Sequence, residues 1–216
     1  MTPQSRFLIL ILLAAPVAAF AGGTATVQSG SGHQQRTTIE WRDAHTLRMQ
    51  GTKKQQFILL RDGKTYMVMS RNGKPTVIDV TSMKSTMNAS GKDKGIISGS
   101  FKPTGKTETV AGIKGHVYHA TWTDAMGKHK GDAVLTDNQQ AVELTQAYMT
   151  LIDAFSAEND AAAKLHLPKS EPGLLRLGND FRVLSISDKT PPSKDFKLPA
   201  KPTSLADMMK RGSGSK

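Results

Sequence analysis

The sequence of 216 residues contains no cysteine. In an exported protein this excludes a disulfide framework and a thiol nucleophile. It also leaves no N-terminal cysteine to which a lipid could be attached. Stability must therefore come from a packed core, and a single domain of this length can bury a sizeable one.

Apolar and aromatic residues are scarce, at 38% and 6% of the chain. Globular proteins usually contain roughly 45–50% apolar residues when glycine is counted with them. Much of the apolar content lies in the first 21 residues, so the remainder is more polar still. This composition favours an open or strongly curved sheet with one face in water.

Acidic residues are fewer than basic ones, 18 against 29, and the formal charge is +11. The basic residues are scattered along the chain, which favours a solvated basic surface. An attraction to anionic lipid, lipopolysaccharide or an acidic polymer is the alternative. No basic helix with interleaved aromatic residues is present, so nucleic acid is not an expected partner.

Motifs for catalysis and metal binding are also missing. The chain has no G-x-S-x-G, no H-E-x-x-H and no glycine-rich phosphate loop. His116 and His119 would lie on opposite faces of a strand and could not chelate one metal ion. We therefore predict no catalytic residue, no metal site, no cofactor and a function that is not enzymatic, with an unrecognised hydrolase as the alternative.

Only one long hydrophobic run occurs, at residues 7–17, after a short segment that contains Arg6. Ala19 and Ala21 then supply the small residues that signal peptidase requires. The run is shorter than the roughly 20 residues of a membrane span. We predict a signal peptide over residues 1–21, cleavage after Ala21 and a soluble periplasmic protein without a transmembrane anchor. An uncleaved anchor is the alternative.

From residue 22 to residue 137 apolar and polar residues alternate as they do in strands, except at residues 82–95, where the pattern weakens and a mobile loop or a short helix is predicted. Ile39 and Trp41, for example, fall on one face of the stretch 37–42. Asp62-Gly63 predicts a hairpin, and Gly112 and Gly115 are expected to bracket a turn. The predicted strands of this part are 37–42, 45–50, 56–61, 65–70, 76–80, 96–101, 106–110, 116–123 and 131–136.

The period changes to that of an amphipathic helix over residues 138–165. Asp137 is expected to cap this helix, with Gln140 completing a capping box. Packing on the sheet is the favoured interpretation of its apolar stripe, and binding of a partner or a membrane is the alternative. Strands follow at 174–177 and 181–187. A domain over residues 22–200 and a partly disordered tail over 201–216 complete the predicted organisation.

Several stretches resemble one uncharacterised family of exported bacterial proteins: DGKTYMVM at 62–69, TGKTETVAGIKGHVY at 104–118, FRVLSI at 181–186 and FKLP at 196–199. That family is catalogued as a domain of unknown function. Its layout is similar to that of the LolA-like (lipoprotein localisation factor) superfamily. The resemblance covers roughly residues 24–199.

The resemblance implies a mainly β (α+β) fold, a strongly curved antiparallel half-barrel with one long amphipathic helix over its concave side. In carriers of the superfamily the apolar trough of the half-barrel receives the acyl chains of lipoproteins. Methionine side chains suit such a pocket because they adapt to irregular ligands, although ordinary core filling is the favoured interpretation and copper binding by thioethers is a further alternative. The residues expected to line the trough are Trp41, Met49, Phe57, Met67, Met69, Tyr118 and Trp122.

The expected function is that of a binding or carrier module for an apolar ligand, such as a lipid or an acylated protein. The alternative is an interaction or sensor module that binds another envelope protein. Recovery of bound lipid would favour the first hypothesis, and recovery of a partner protein would favour the second.

Overall fold

A computed structural model describes residues 21–30, 35–51, 56–71, 73–81, 98–124, 127–155, 165–204 and 207. Strands dominate these residues, which confirms the prediction of a mainly β fold. Three predictions lie outside the described residues: the signal peptide up to residue 20, the loop or short helix at 82–95, and the end of the tail after residue 207.

The described strands form one sheet. They are β1 (Gly23–Ser29), β2 (Gln35–Asp43), β3 (Thr46–Gln50), β4 (Phe57–Arg61), β5 (Lys64–Arg71), β6 (Lys74–Asp79), β7 (Ser98–Val110), β8 (Ile113–Asp124), β9 (Gly127–Thr136), β10 (Gly173–Leu177), β11 (Phe181–Ser187) and β12 (Thr203–Ser204). A helix, α1 (Gln139–Phe155), and a 3-10 helix (Ser193–Phe196) accompany them.

The strand order is β12-β6-β5-β4-β3-β2-β1-β11-β10-β9-β8-β7. Two antiparallel meanders, β1–β6 and β7–β11, meet where β1 pairs with β11 in the middle of the sheet. Within the described residues the sheet is open, because its edge strands β12 and β7 do not pair. Thr203 and Ser204 pair in parallel with Ile78 and Asp79, so two residues of the predicted tail belong to the sheet.

The turns follow from residues that accept a left-handed backbone. Asp62 and Gly63 have φ values of 53° and 70°, the positive pair that a two-residue hairpin needs. The turn between β7 and β8 is at Ala111-Gly112, so the expected bracket of Gly112 and Gly115 was wrong. Gly115 lies inside β8, where a Cβ atom would come within 2.5 Å of the Leu135 carbonyl oxygen.

Strand β7 runs continuously from Ser98 to Val110, where the sequence predicted two strands. Its register with β8 shifts between Pro103 and Thr107, which marks an irregularity of the bulge type. Proline is tolerated on an edge strand, because one side of that strand carries no ladder hydrogen bonds. The strand therefore continues through the bulge instead of ending at Pro103.

Helix α1 begins one residue later than predicted and its described part ends at Phe155. Asn138 caps it, since its Oδ1 accepts a hydrogen bond from the Ala141 amide at 3.3 Å. The prediction that Asp137 is the cap was therefore wrong. Leu165, the predicted last helical residue, lies outside the helix and is buried.

The helix packs on the sheet, as predicted, through a fully buried stripe of Ala141, Leu144, Ala147 and Leu151. The Thr145 hydroxyl ties it to β10 by accepting a hydrogen bond from the Leu174 amide at 2.8 Å. Directly opposed residues of antiparallel strands share a face. Trp41 and Leu47 form such a pair, and they belong to the core that includes α1.

A second core lies on the other face of β4, β5 and β6. Leu59, Tyr66, Val68 and Val77 form it together with Phe196. Phe196 ends the 3-10 helix, and its carbonyl oxygen accepts a hydrogen bond from Arg61 at 3.3 Å. The sheet is thus covered by α1 on one face and by the C-terminal segment, residues 193–204, on the other.

Candidate ligand-binding site

The residues predicted to line an apolar trough do not share one face. Met67 opposes Ile58, which packs in the core that includes α1. Phe57 opposes Val68, which belongs to the second core. Of the predicted set, Phe57 alone points away from α1, while Trp41, Met49, Met67, Met69, Tyr118 and Trp122 lie on the face that α1 covers.

Around Trp41, described residues fill the space between α1 and the sheet. Trp41 is fully buried, and its indole Nε1 donates a hydrogen bond to the carboxylate of Glu143 on α1 at 3.2 Å. Tyr118 is 9% exposed. The pKa of its hydroxyl is raised, mainly by burial and to a smaller extent by a hydrogen bond to Glu171. Trp41 therefore has no exposed surface that a ligand could contact.

The opposite face carries a groove of about 280 Å³. Its lining is Arg48, Phe57, Val68, Met69, Ser70, Gly73, Pro75 and Pro199. Strands β3 to β6 supply the floor, and Pro199 of the C-terminal segment supplies one wall. Phe57 is the predicted trough residue whose side chain faces this groove, whereas Met69 lines it from a position of β5 whose side chain lies on the α1 face.

Arg48 is the charged residue of this groove. Its guanidinium carbon lies 4.4 Å from the centre of the Phe57 ring, a cation–π geometry. Nη1 is 2.7 Å from the Glu40 carboxylate, and Nη2 donates to Gln50 at 3.0 Å. The Nε atom is buried and has no acceptor in the described part of the chain. The groove therefore combines an apolar floor with a hydrogen-bond donor beside it.

A second depression, of about 380 Å³, lies at the far end of the sheet on β7, β8 and β9. Trp122 stacks on His129 there with ring centres 5.5 Å apart, and its Nε1 donates to Asp180 at 3.1 Å. Lys128 and Lys130 add two cations to its lining. Its lining includes two lysines and a histidine, whereas the groove at Arg48 has one basic residue.

The two histidines of β8 lie on opposite faces, as predicted. His116 contacts the carboxylate of Glu171 through Nδ1, whereas His119 contacts Asp132 at 2.8 Å. Among the described residues, no three His, Asp or Glu side chains are grouped so that they could hold a metal ion. No helix in the described part of the chain is long and apolar enough to cross a membrane.

Arg48 and Pro199 were not predicted as site residues. Arg48 alternates with buried residues in β3, a pattern that also fits an ordinary solvent-facing side chain. Pro199 lies about 140 residues from Phe57 in the chain, and only the folded C-terminal segment brings the two together. A signal for the second face does exist in the sequence. The run Phe57-Ile58-Leu59-Leu60 is apolar without alternation, which is typical of a strand covered on both faces.

Comparisons of the chain with protein-family models, with curated proteins and with solved structures found no match. The resemblance to the exported family with the LolA-like layout therefore stays a prediction. The function has to be argued from the groove and its surroundings.

Proposed function

We propose that this protein is a binding or carrier module of the bacterial cell envelope for an apolar ligand, such as a lipid or an acylated protein. The observation that carries the proposal is the groove of Phe57, Val68 and Pro199 beside Arg48. An apolar cleft with a few placed polar groups is the usual form of a ligand site. Acyl carbons would contact the floor, and a polar head group would lie near Arg48.

In this proposal the sheet is strongly curved and forms a half-barrel whose concave side holds α1. Support comes from Cα atoms of α1 that lie within 8 Å of strands as far apart as β10 and β5. These two strands stand six steps apart in the sheet, which is roughly 29 Å if the sheet is flat, whereas α1 with its 17 residues is about 25 Å long. A sheet that curves around α1 would bring both strands within reach of the helix. In this arrangement α1 fills the concave side, and the ligand binds on the outer face.

Binding is tested by filling the groove. Ser70 lines the groove and is half-buried, so Ser70→Trp should place a ring over its floor. Ser185→Trp, at an exposed position of β11, introduces the same side chain elsewhere and serves as the control. A fluorescent fatty acid should bind the wild type and Ser185→Trp alike, and Ser70→Trp at least roughly tenfold more weakly. Equal binding by all three chains would contradict the site.

The alternative function, recognition of another envelope protein, has its own supporting observation. The depression with Lys128, His129 and Lys130 presents basic side chains at one end of the sheet. Charges of one sign favour an oppositely charged surface. The double variant Lys128→Glu, Lys130→Glu should abolish recovery of an acidic partner from envelope extract and leave fatty-acid binding unchanged. Loss of fatty-acid binding in this variant would argue against two separate sites.

Export is tested independently. The full chain, produced in a Gram-negative host, should be recovered from the periplasm with Gly22 as its first residue. Intact-mass measurement determines that residue directly. Recovery of the periplasmic protein with residues 1–21 still attached would contradict the proposed cleavage.

A further inference from the structure

Glu143 is a carboxylate that is buried where α1 faces the sheet, with 3% of its surface exposed. Its Oε1 accepts hydrogen bonds from the Ala21 amide and the Gln139 side chain, both at 3.1 Å. Its Oε2 accepts hydrogen bonds from the Gly22 amide and the Trp41 indole, both at 3.2 Å. Among the described residues Glu143 thus has four hydrogen-bond donors, and all four are neutral. A buried charge is usually paired with an opposite charge as well as hydrogen-bonded.

Two of the four donors are the backbone amides on either side of the proposed cleavage, the bond between Ala21 and Gly22. Hydrolysis by a signal peptidase adds water across this bond. The Ala21 carbonyl carbon becomes a carboxylate, which leaves with the signal peptide, and the Gly22 nitrogen takes up protons to become an ammonium group. That nitrogen already lies 3.2 Å from Oε2 of Glu143. The missing positive charge would therefore arise within ion-pair distance.

The geometry of the new terminus is fixed by glycines. Gly22 has a φ of +70°, and a Cβ atom there would lie 2.9 Å from the Trp41 carbonyl oxygen. A Cβ atom on Gly23 would lie 2.5 Å from the Trp41 ring. Gly23 also opposes Trp41 in the pairing of β1 with β2. The chain start thus runs directly over Trp41 to reach Glu143, a path that larger residues would block.

We infer that Glu143 is the binding site for the amine that cleavage after Ala21 releases. The mature terminus forms a buried ion pair that joins β1 to α1. This inference rests on the proposed export. Removal of the signal peptide then strengthens the fold, because in the uncleaved chain residues 21 and 22 offer Glu143 only amide hydrogen bonds.

A two-by-two comparison tests the ion pair in the chain that begins at Gly22 and runs to Lys216. The Gly22 amine is left free or acetylated, and residue 143 is Glu or Gln. Acetylation keeps an N–H donor and removes the charge. It should lower the melting temperature by about 5–10 °C in the Glu143 chain and by less than about 2 °C in Glu143→Gln. Equal shifts in both chains would overturn the inference.

Asp153→Asn is the matched control, since Asp153 is an exposed carboxylate on the same helix. Acetylation should lower the melting temperature of this variant by as much as it lowers that of the wild type. If Glu143→Gln does not fold, the rate at which an acylating reagent modifies the Gly22 amine decides the matter. The folded wild type should react at least roughly tenfold more slowly than the urea-unfolded chain, and equal rates would contradict the pairing.

The two proposals fail separately. If the exported protein begins at a residue other than Gly22, the proposed cleavage is wrong, whatever the acetylation experiment gives. If the exported protein begins at Gly22 and acetylation has the same effect with Glu and Gln at position 143, export stands and the role of Glu143 is wrong.

Discussion

The two faces of the sheet are covered by different means. On one face the 17-residue helix α1 seals a core in which Trp41 and Leu47 have no exposed surface. On the other face the C-terminal segment covers β4 to β6 with a 3-10 helix and extended chain, and a groove remains between it and Phe57. Among the described residues the second face is therefore covered less completely, and the proposed ligand site lies there.

The comparison is tested most strongly by two leucines on neighbouring strands. Leu47 on β3 and Leu59 on β4 are both fully buried, but they point to opposite faces. Leu47→Ala should lower the free energy of unfolding by about 4 kcal/mol, because α1 cannot settle into the cavity. Leu59→Ala should cost about 2–3 kcal/mol, because the C-terminal segment can move inward. Urea denaturation measures both values, and a larger loss for Leu59→Ala would reverse the comparison.

A smaller effect is expected where α1 is attached to β10. Thr145→Val removes the oxygen that accepts the Leu174 amide and leaves that buried donor without a partner. The expected loss is about 1–3 kcal/mol. Thr150→Val is the matched control on the same helix, since among the described residues its hydroxyl donates one exposed hydrogen bond, to the Gln146 carbonyl oxygen. A loss of similar size in both variants would argue against a special role for the bond to β10.

Alkaline pH should also weaken the face that α1 covers. Burial raises the pKa of Tyr148 on α1, and burial with Glu171 raises that of Tyr118, so the folded chain holds these protons more tightly than the unfolded chain. Their contribution is complete below pH 10, and it is lost as the pH rises above that value. The unfolding free energy should therefore be lower at pH 11 than at pH 9. Tyr148→Phe should make the difference smaller, and an unchanged difference would contradict the assignment.

The smallest effect is expected at an ion pair beyond both cores. Glu108 on β7 contacts Arg176 at 2.7 Å and Arg182 at 3.6 Å, and it is about one-third exposed. Glu108→Gln should cost roughly 0.5–1 kcal/mol at low salt, and this cost should disappear in 1 M NaCl. A loss that persists in high salt would mean that the contact is more deeply buried than its exposure indicates.

Local rules were enough to predict much of the sheet. The alternation around Ile39 and Trp41 gives the face of β2 correctly, and Asp62-Gly63 gives the hairpin between β4 and β5. The helix cap was misplaced because Asp137 and Asn138 are adjacent and both residue types cap helices well. Local sequence cannot choose between them, since the choice depends on where β9 ends.

The candidate site was harder to predict because it depends on register and on distant parts of the chain. Phe57 was placed with the residues under α1, since the apolar run of β4 does not show which residue faces which core. Arg48 comes to lie over Phe57 only because Gln50 pairs with Phe57 and Arg48 with Leu59. The wall at Pro199 requires the whole C-terminal segment to fold back over β4 to β6.

The claim that the ligand binds on the face opposite α1 can be tested by photocrosslinking. A fatty acid with a diazirine at the end of its acyl chain is bound to the wild-type protein and activated by light, and the modified peptides are identified by mass spectrometry. Binding on this face should give crosslinks on β4, β5 and residues 193–200, which Ser70→Trp removes and Ser185→Trp retains. Crosslinks confined to α1 and to the strand segment around Trp41 would contradict it.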